Sequence, residues 1–207
     1  MAMGKGVHWW GVVLVLSLVL IAAGLVWKPA SVDQDPAHRT LPLTHAPQGG
    51  DFALTRDGQS FRLGDHRGQV VLLYFGYTYC PDVCPTSMAM IRQALRQLDA
   101  EQLQRVQGVF VSVDPERDTP VQLADYARFF HPSILGVTGS EEELIAAGRL
   151  YGAAWRRADT DSAMGYAVDH SSNTYVIGKD GRLAETLPHG TGPQRIVETV
   201  LRLLDED

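Results

Sequence analysis

The chain opens on an apolar run with no polar face. No charged residue lies between His8 and Trp27, and the centre of the run reads VVLVLSLVLIAAGLVW. About 20 such residues span a bilayer as one helix. Trp9, Trp10 and Trp27 stand at its ends, where interfacial aromatics belong, and Lys5 and Lys28 flank it. The pattern predicts a transmembrane anchor within residues 1–28. A cleaved signal sequence is the rival reading, because Ala22, Ala23 and Gly24 offer small residues near a cut. Residues 29–48 lose all periodicity and hold Pro29, Pro36, Pro42 and Pro47. That composition predicts an extended linker, in which His38 and His45 are solvated.

From residue 49 to 207 strand-like and helix-like patterns alternate. Phe52–Leu54 and Phe61–Leu63, placed around Asp57-Gly58, predict a β-hairpin. Val70–Phe75 and Val106–Val113 are continuous apolar runs that suit buried strands. After Cys84 a helix is expected, with Pro85 in its first turn and Met88, Ile91, Leu95 and Leu98 at helical spacing. Pro120 opens a second helix through Phe130, and Ile134–Val137 reads as a short strand. Ser140 with Glu143 forms a capping box for a helix to about Tyr151. Asn173–Ile177 and Leu183–Leu187 flank a Lys179-Asp180-Gly181-Arg182 turn, and a last helix runs from about Gly192 to Leu204. Strands separated by helices, with a hairpin near the end, predict an α/β fold with a mixed sheet. A strand that leads into a cysteine and then a helix is the layout of thioredoxin-like folds.

Composition and charge exclude several classes. Hydrophobic residues make up 45% and charged residues 20% of the chain, which is ordinary for a globular protein. All 24 acidic residues but only 16 of the 18 basic ones follow residue 28, so the body carries a formal charge of −8. Nucleic-acid binding needs the opposite sign. Two cysteines cannot build a disulfide-dense scaffold.

Those cysteines lie in Tyr74-Phe-Gly-Tyr-Thr-Tyr-Cys80-Pro-Asp-Val-Cys84-Pro85. Residues four apart on a helix share a face, with Cα atoms about 6 Å apart. That distance permits a disulfide and also lets both sulfurs hold one metal ion. A helix N-terminus favours a thiolate, which is both nucleophile and metal ligand. A structural disulfide closes too short a loop to stabilise much. A redox dithiol and a metal-holding pair with redox activity stay open, because the spacing does not separate them. A peroxiredoxin-type site, Pro-x-x-x-Thr/Ser-x-x-Cys, is excluded, since Tyr77 and Pro81 stand three residues before the two cysteines.

Three segments, GYTYCPDVCPTSMA, VSVDPERDTP at 111–120 and VDHSSNTYVIGKDGR at 168–182, resemble the Sco/SenC family over about residues 48–205. Its members are membrane-tethered, thioredoxin-fold copper proteins that help assemble the binuclear copper site of cytochrome c oxidase. The resemblance implies Cys80, Cys84 and His170 as copper ligands, and Cys80 and Cys84 as a pair that can exchange electrons with a partner's cysteines. The loop Val168–Ser172 stands where thioredoxins carry a cis-proline, and His170 can project from it. Two thiolates and an imidazole suit copper, as Cu(I) or Cu(II), whereas a structural zinc site wants four protein ligands.

Asp114, Arg117 and Asp118 are expected near the cysteines as supporting or docking residues, or simply as a turn before Pro120. Asp82 reads as a tuning or solvated acid. Met88 reads as core, Met90 carries no copper role, and Tyr77 and Tyr79 read as shielding or docking residues. His66, His131 and His189 fall outside the motifs.

The resemblance implies copper delivery to the copper-site subunit of the oxidase. The alternative is a thiol–disulfide reductase acting on that subunit's cysteines. Other periplasmic copper chaperones or thioredoxin-like reductants are further expected partners. Charges around the apolar run nearly tie, so orientation follows from the chemistry: a bacterial inner-membrane protein, spanning once, with its domain in the periplasm. The seven residues before the span are too few for a mitochondrial transit peptide.

Overall fold

The structure, a computed structural model, describes residues 11–18, 46–159 and 165–206. The chain forms two units, residues 1–44 and 45–207. In the first, Gly11–Leu18 are helical and exposed. The rest of the expected 1–28 anchor, and the linker up to residue 45, lie outside the described residues. Among the described residues no helix is long and apolar enough to cross a membrane.

In the second unit the chain is tied in from Gln48 onward. Gln48 already accepts a hydrogen bond from the Leu183 amide (3.0 Å), and the Gly49 amide donates to the Leu150 carbonyl (3.0 Å). Strands β1 (Ala53–Arg56) and β2 (Gln59–Arg62) form the expected hairpin. Asp57 (φ 51°) and Gly58 (φ 75°) both adopt the left-handed conformation that a two-residue turn of this kind demands.

The main sheet has the order β5-β4-β3-β8-β9. Strands β3 (Val70–Gly76), β4 (Val106–Ser112) and β5 (Ile134–Val137) run parallel. Strands β8 (Thr174–Ile177) and β9 (Leu183–Leu187) complete it antiparallel, joined by the tight turn at Lys179–Arg182. Parallel neighbours need long crossovers. Helix α1 (Val83–Leu95) and the short α2 (Ala100–Gln104) connect β3 to β4, and α3 (Pro120–Phe130) connects β4 to β5. Helix α2 was not expected: it has five residues and no buried one, so only its Asp99/Gln102 capping box marks it. Helix α4 (Glu141–Tyr151) starts on the expected Ser140/Glu143 box, and α5 (Pro193–Asp205) packs along α1.

Every residue of β3 is buried, because helices cover both faces and the strand has no solvent side. Its side chains alternate between two cores. Tyr74 stacks on Phe110, which meets Tyr126 of α3. Phe75 points the other way, to Tyr151 of α4 and to Tyr175. Because β3 and β4 are parallel and in register, their C-terminal ends lie side by side, and loops 77–82 and 113–119 leave from one edge. That edge is where ligands bind in open α/β sheets.

One expectation needs correcting. His170 was expected in a loop, but it is the last residue of β7 (Tyr166–His170), which pairs antiparallel with β6 (Trp155–Asp159) in a separate two-stranded sheet. Tyr166 and Val168 alternate toward the core and are buried. The outer edge of β7 is satisfied by side chains: the Val168 amide donates to the Tyr77 hydroxyl (3.3 Å), and Arg117 donates to the Tyr166 carbonyl (2.9 Å). These bonds make a strand where the sequence reads as a loop. Among the described residues no peptide bond is cis.

Candidate metal centre

Three segments meet at the sheet edge. Cys80 lies in the loop after β3, Cys84 is the second residue of α1, and His170 ends β7. Their sulfurs and a ring nitrogen all lie within 4.8 Å of one another. Cys84 is fully buried and Cys80 is 9% exposed. The thiols are not bridged. His170 Nε2 lies 3.1 Å from Cys84 Sγ, and Nδ1 lies 3.0 Å from the Ser171 carbonyl. A carbonyl only accepts, so Nδ1 carries a proton, and Nε2 faces the sulfurs. This is the second-partner arrangement that orients a metal-binding histidine. Tyr74 and Tyr77 hold the ring edge-on from two directions, with centroids 6.1 and 5.8 Å away.

The two thiols differ sharply. A hydrogen bond from the Cys84 thiol pulls the Cys80 thiol far below its ordinary range. Burial opposes this, while His170 and the backbone N–H groups of Cys84 and Asp82 add to it. Burial, then the bond to Cys80 and its charge, push Cys84 up. Cys80 is therefore the more acidic of the two thiols and the first to form a thiolate. An ordinary thiol with a pKa near 9 gains reactivity tenfold per pH unit below that value. Alkylation of Cys80 is instead expected to be flat between about pH 5 and 7, where the thiolate has already formed. Peptide mass mapping after brief treatment with iodoacetamide is expected to find the label on Cys80 and not on Cys84. A steep pH dependence would refute the assignment.

The 112–118 segment holds this geometry together. Asp118 is buried and accepts from the Thr78 amide (3.0 Å), the Thr78 hydroxyl (2.6 Å) and the Ser112 hydroxyl (2.5 Å). It thus pins the loop two residues before Cys80. Asp114, also buried, binds Arg117 and accepts from the Tyr166 hydroxyl (2.7 Å). The Tyr166 ring lies between the guanidinium groups of Arg117 (3.6 Å) and Arg157 (3.5 Å), a cation–π clamp. Asp114 and Arg117 therefore fix β7 four residues before His170. Of the readings open for this segment, the structure shows both the turn before Pro120 and support of the site.

The other candidates fall where their chemistry allows. Met88 is core and Met90 is half-buried against it. Asp82 precedes α1 without a side-chain cap bond. Tyr77 is buried against His170, while Tyr79 is exposed and accepts from Gln122 (3.4 Å). His66 bonds Gln69, and His189 bonds Ser87. His131 accepts from the Ser133 amide, and burial, aided by the charges of Arg96 and Arg92, lowers its pKa. Sequence reasoning missed Gly76, where a Cβ would lie 2.7 Å from Cys84 Sγ. A glycine ending an otherwise unbroken apolar strand, four residues before a cysteine, is the signal that marks it.

Two sulfurs and one imidazole make a soft, three-membered donor set. Among the described residues no fourth Cys, His, Asp or Glu joins it, so the set lacks the four ligands of a structural zinc site.

Known proteins resemble this chain over most of its length. A mouse relative named "Protein SCO2 homolog, mitochondrial" is 38% identical over 195 residues, which are 91% of this chain and 76% of the relative. The copper-bound structure of Arabidopsis thaliana ScoI is 32% identical with a TM-score of 0.69, covering 75% of this chain and 97% of that one. The copper-bound Bradyrhizobium japonicum ScoI is 33% identical with a TM-score of 0.68, covering 75% and 99%. The apo Sco1 of Thermus thermophilus is 39% identical with a TM-score of 0.70, covering 76% and 92%. The SCO1/SenC family model matches residues 42–205, and the chain belongs to that family.

Proposed function

We propose that this chain binds copper through Cys80, Cys84 and His170 and delivers it to the copper-site subunit of cytochrome c oxidase during assembly. The observation that carries the reading is the convergence of the three donor atoms within 4.8 Å, with His170 Nε2 already facing the sulfurs. The copper-bound relatives supply the identity of the cargo. Two thiolates suit Cu(I), and the imidazole adds the nitrogen that Cu(II) prefers. Cys80 is only slightly exposed and its loop carries the exposed Tyr79, so a receiving protein can reach copper from this edge. In this reading residues 1–28 anchor the chain in a bacterial inner membrane and the domain faces the periplasm. The uncharged N-terminal run and the thiol chemistry support that placement. Other copper chaperones or thioredoxin-like reductants would load or reduce the site.

The test is anaerobic titration of the reduced chain with Cu(I), and separately with Cu(II) followed by sulfur-to-copper charge transfer, beside His170→Ala. One copper per chain is expected, with Cu(II) affinity at least about tenfold weaker in the variant and Cu(I) less affected. No copper binding by the parent chain would overturn the reading.

One observation favours a second reading. A Cys80 thiol lowered by its neighbours beside a buried, raised Cys84 thiol is also the arrangement of a dithiol reductase. Cys80 would attack a partner's disulfide, releasing one partner thiol. Cys84, losing its proton, would then displace the second, leaving Cys80 and Cys84 oxidised and the partner with two thiols. Reduction of the partner that persists in His170→Ala would favour this role.

A further inference from the structure

His170 reaches the cysteines from a hairpin that is not part of the main sheet, so something must set its height against them. Trp155 is its directly opposed partner across β6 and β7. The Ser171 amide donates to the Ala154 carbonyl (2.9 Å) and the Ala154 amide donates to the Ser171 hydroxyl (3.0 Å). The ladder bond thus falls at Ala154/Ser171, and Trp155/His170 is the adjacent non-hydrogen-bonded pair. In such pairs the side chains share a face and stand closest.

The indole of Trp155 is held from two sides. It lies nearly parallel to Phe75, 6.1 Å between centroids and 16° between planes. Phe75 sits on β3 one residue before Gly76, on the strand that delivers Cys80. The far edge of the indole fills the space over Gly148 of α4. A Cβ at Gly148 would lie 2.6 Å from Cζ3 and 2.9 Å from Cη2 of the ring, with the Ala153 carbonyl at 3.0 Å. A glycine in the interior of a helix lowers its stability. Here it makes the socket into which Trp155 fits. The Tyr166 clamp fixes β7 four residues away, whereas Trp155 stands at the level of His170 itself.

We propose that Trp155, seated between Phe75 and Gly148, is a positioning residue that sets the reach of His170 to the cysteines and so governs the binding of Cu(II) relative to Cu(I). The inference rests on the copper-binding reading above. The two thiolates hold Cu(I) without precise placement of the imidazole, but Cu(II) needs the nitrogen in place.

The test compares the full chain with Trp155→Ala, Trp155→Phe, Gly148→Ala, His170→Ala and the Trp155→Ala/His170→Ala double variant. Cu(I) is measured by competition with a Cu(I) chelator, and Cu(II) by charge-transfer absorption. Trp155→Ala is expected to weaken Cu(II) binding by about tenfold or more while Cu(I) binding changes less than about threefold. Trp155→Phe keeps the stack on Phe75 and is expected to restore most of the loss. Gly148→Ala pushes the indole from the opposite side and gives the same selective loss, so the outcome does not depend on Trp155→Ala folding well. The double variant is expected to bind Cu(II) no more weakly than His170→Ala alone, because the tryptophan acts only through the histidine. A metal-free readout accompanies these. The Nδ1–H of His170, bonded to Ser171, is expected as a protected imidazole signal in the nitrogen–proton spectrum of the reduced chain and is lost in Trp155→Ala. Equal loss of Cu(I) and Cu(II), additive effects in the double variant, or an unchanged imidazole signal would overturn the proposal. If the parent chain binds no copper, the copper-binding reading fails instead, and the imidazole signal alone decides whether Trp155 positions His170.

Discussion

Asp118→Ala is expected to lower the melting temperature by about 6–12 °C and to remove the flat pH profile of Cys80 alkylation. The carboxylate is 1% exposed and accepts three hydrogen bonds, two from Thr78 and one from Ser112. Deletion leaves three donors with no acceptor beside the buried end of β4. Each unpaired group costs about 1 kcal/mol or more, and the sum is about 3 kcal/mol, which in a domain of this size corresponds to that shift. The functional effect follows from position. Thr78 is tied through its amide and its hydroxyl, and Cys80 is two residues further on. Once the loop is loose, Cys84 and the α1 backbone no longer meet the Cys80 sulfur in fixed geometry, and the thiol returns toward its ordinary range. Asp118→Asn separates the two contributions. The amide keeps one acceptor oxygen and offers an NH2 group to a Thr78 hydroxyl that can turn to accept it. Less than half the loss is expected there. Thermal unfolding by circular dichroism gives the stability, and alkylation rates from pH 5 to 9 give the thiol. A fall in melting temperature with no change in the alkylation profile would show that Asp118 supports the fold and not the cysteine.

Much of this arrangement was legible in the residues, for identifiable reasons. Strands β3 and β4 are covered on both faces, so burial wrote itself into unbroken apolar runs. Helices α3 and α4 begin at a proline and at a capping box, signals that lie within the segment itself. The three donor residues were read from a family resemblance, and the fold brings all three together. The missing parts depend on distant partners. Strand β6 reads Trp-Arg-Arg-Ala-Asp and is largely exposed, so it has no alternation to detect. Its existence depends on β7, whose own outer edge is satisfied by Tyr77 and Arg117 from other loops. A supporting role for Asp114 and Asp118 was among the readings of their segment, but their burial was hidden, since each acid accepts from groups outside it. Those groups come from positions 78, 112 and 166, which the sequence separates by up to half the domain.

Gly76→Ala tests the closest packing at the site, and its expected signature differs from that of every hairpin variant. Gly76 ends β3 with ordinary backbone angles, so the constraint is space. A Cβ would lie 2.7 Å from Cys84 Sγ, 3.0 Å from Tyr74 Cε1 and 3.1 Å from Phe110 Cε2. None of the three can retreat, because Cys84, Tyr74 and Phe110 are all fully buried and the two rings stack on each other. Overpacking of this kind costs about 1–3 kcal/mol, a fall of roughly 2–12 °C in melting temperature. The sulfur makes the nearest contact, so Cys84 is the group displaced. Because Cys84 would serve copper in both oxidation states, Cu(I) and Cu(II) binding are expected to fall together by about tenfold or more, unlike the selective Cu(II) loss assigned to Trp155. Removing the sulfur identifies it as the source of the strain. In a Cys84→Ala background the added methyl meets less, and the stability cost of Gly76→Ala is expected to shrink by about 1 kcal/mol in a double-mutant cycle. A cost unchanged by Cys84→Ala would place the clash on Tyr74 and Phe110 and show that Gly76 is there for the aromatic core, with the metal centre unaffected.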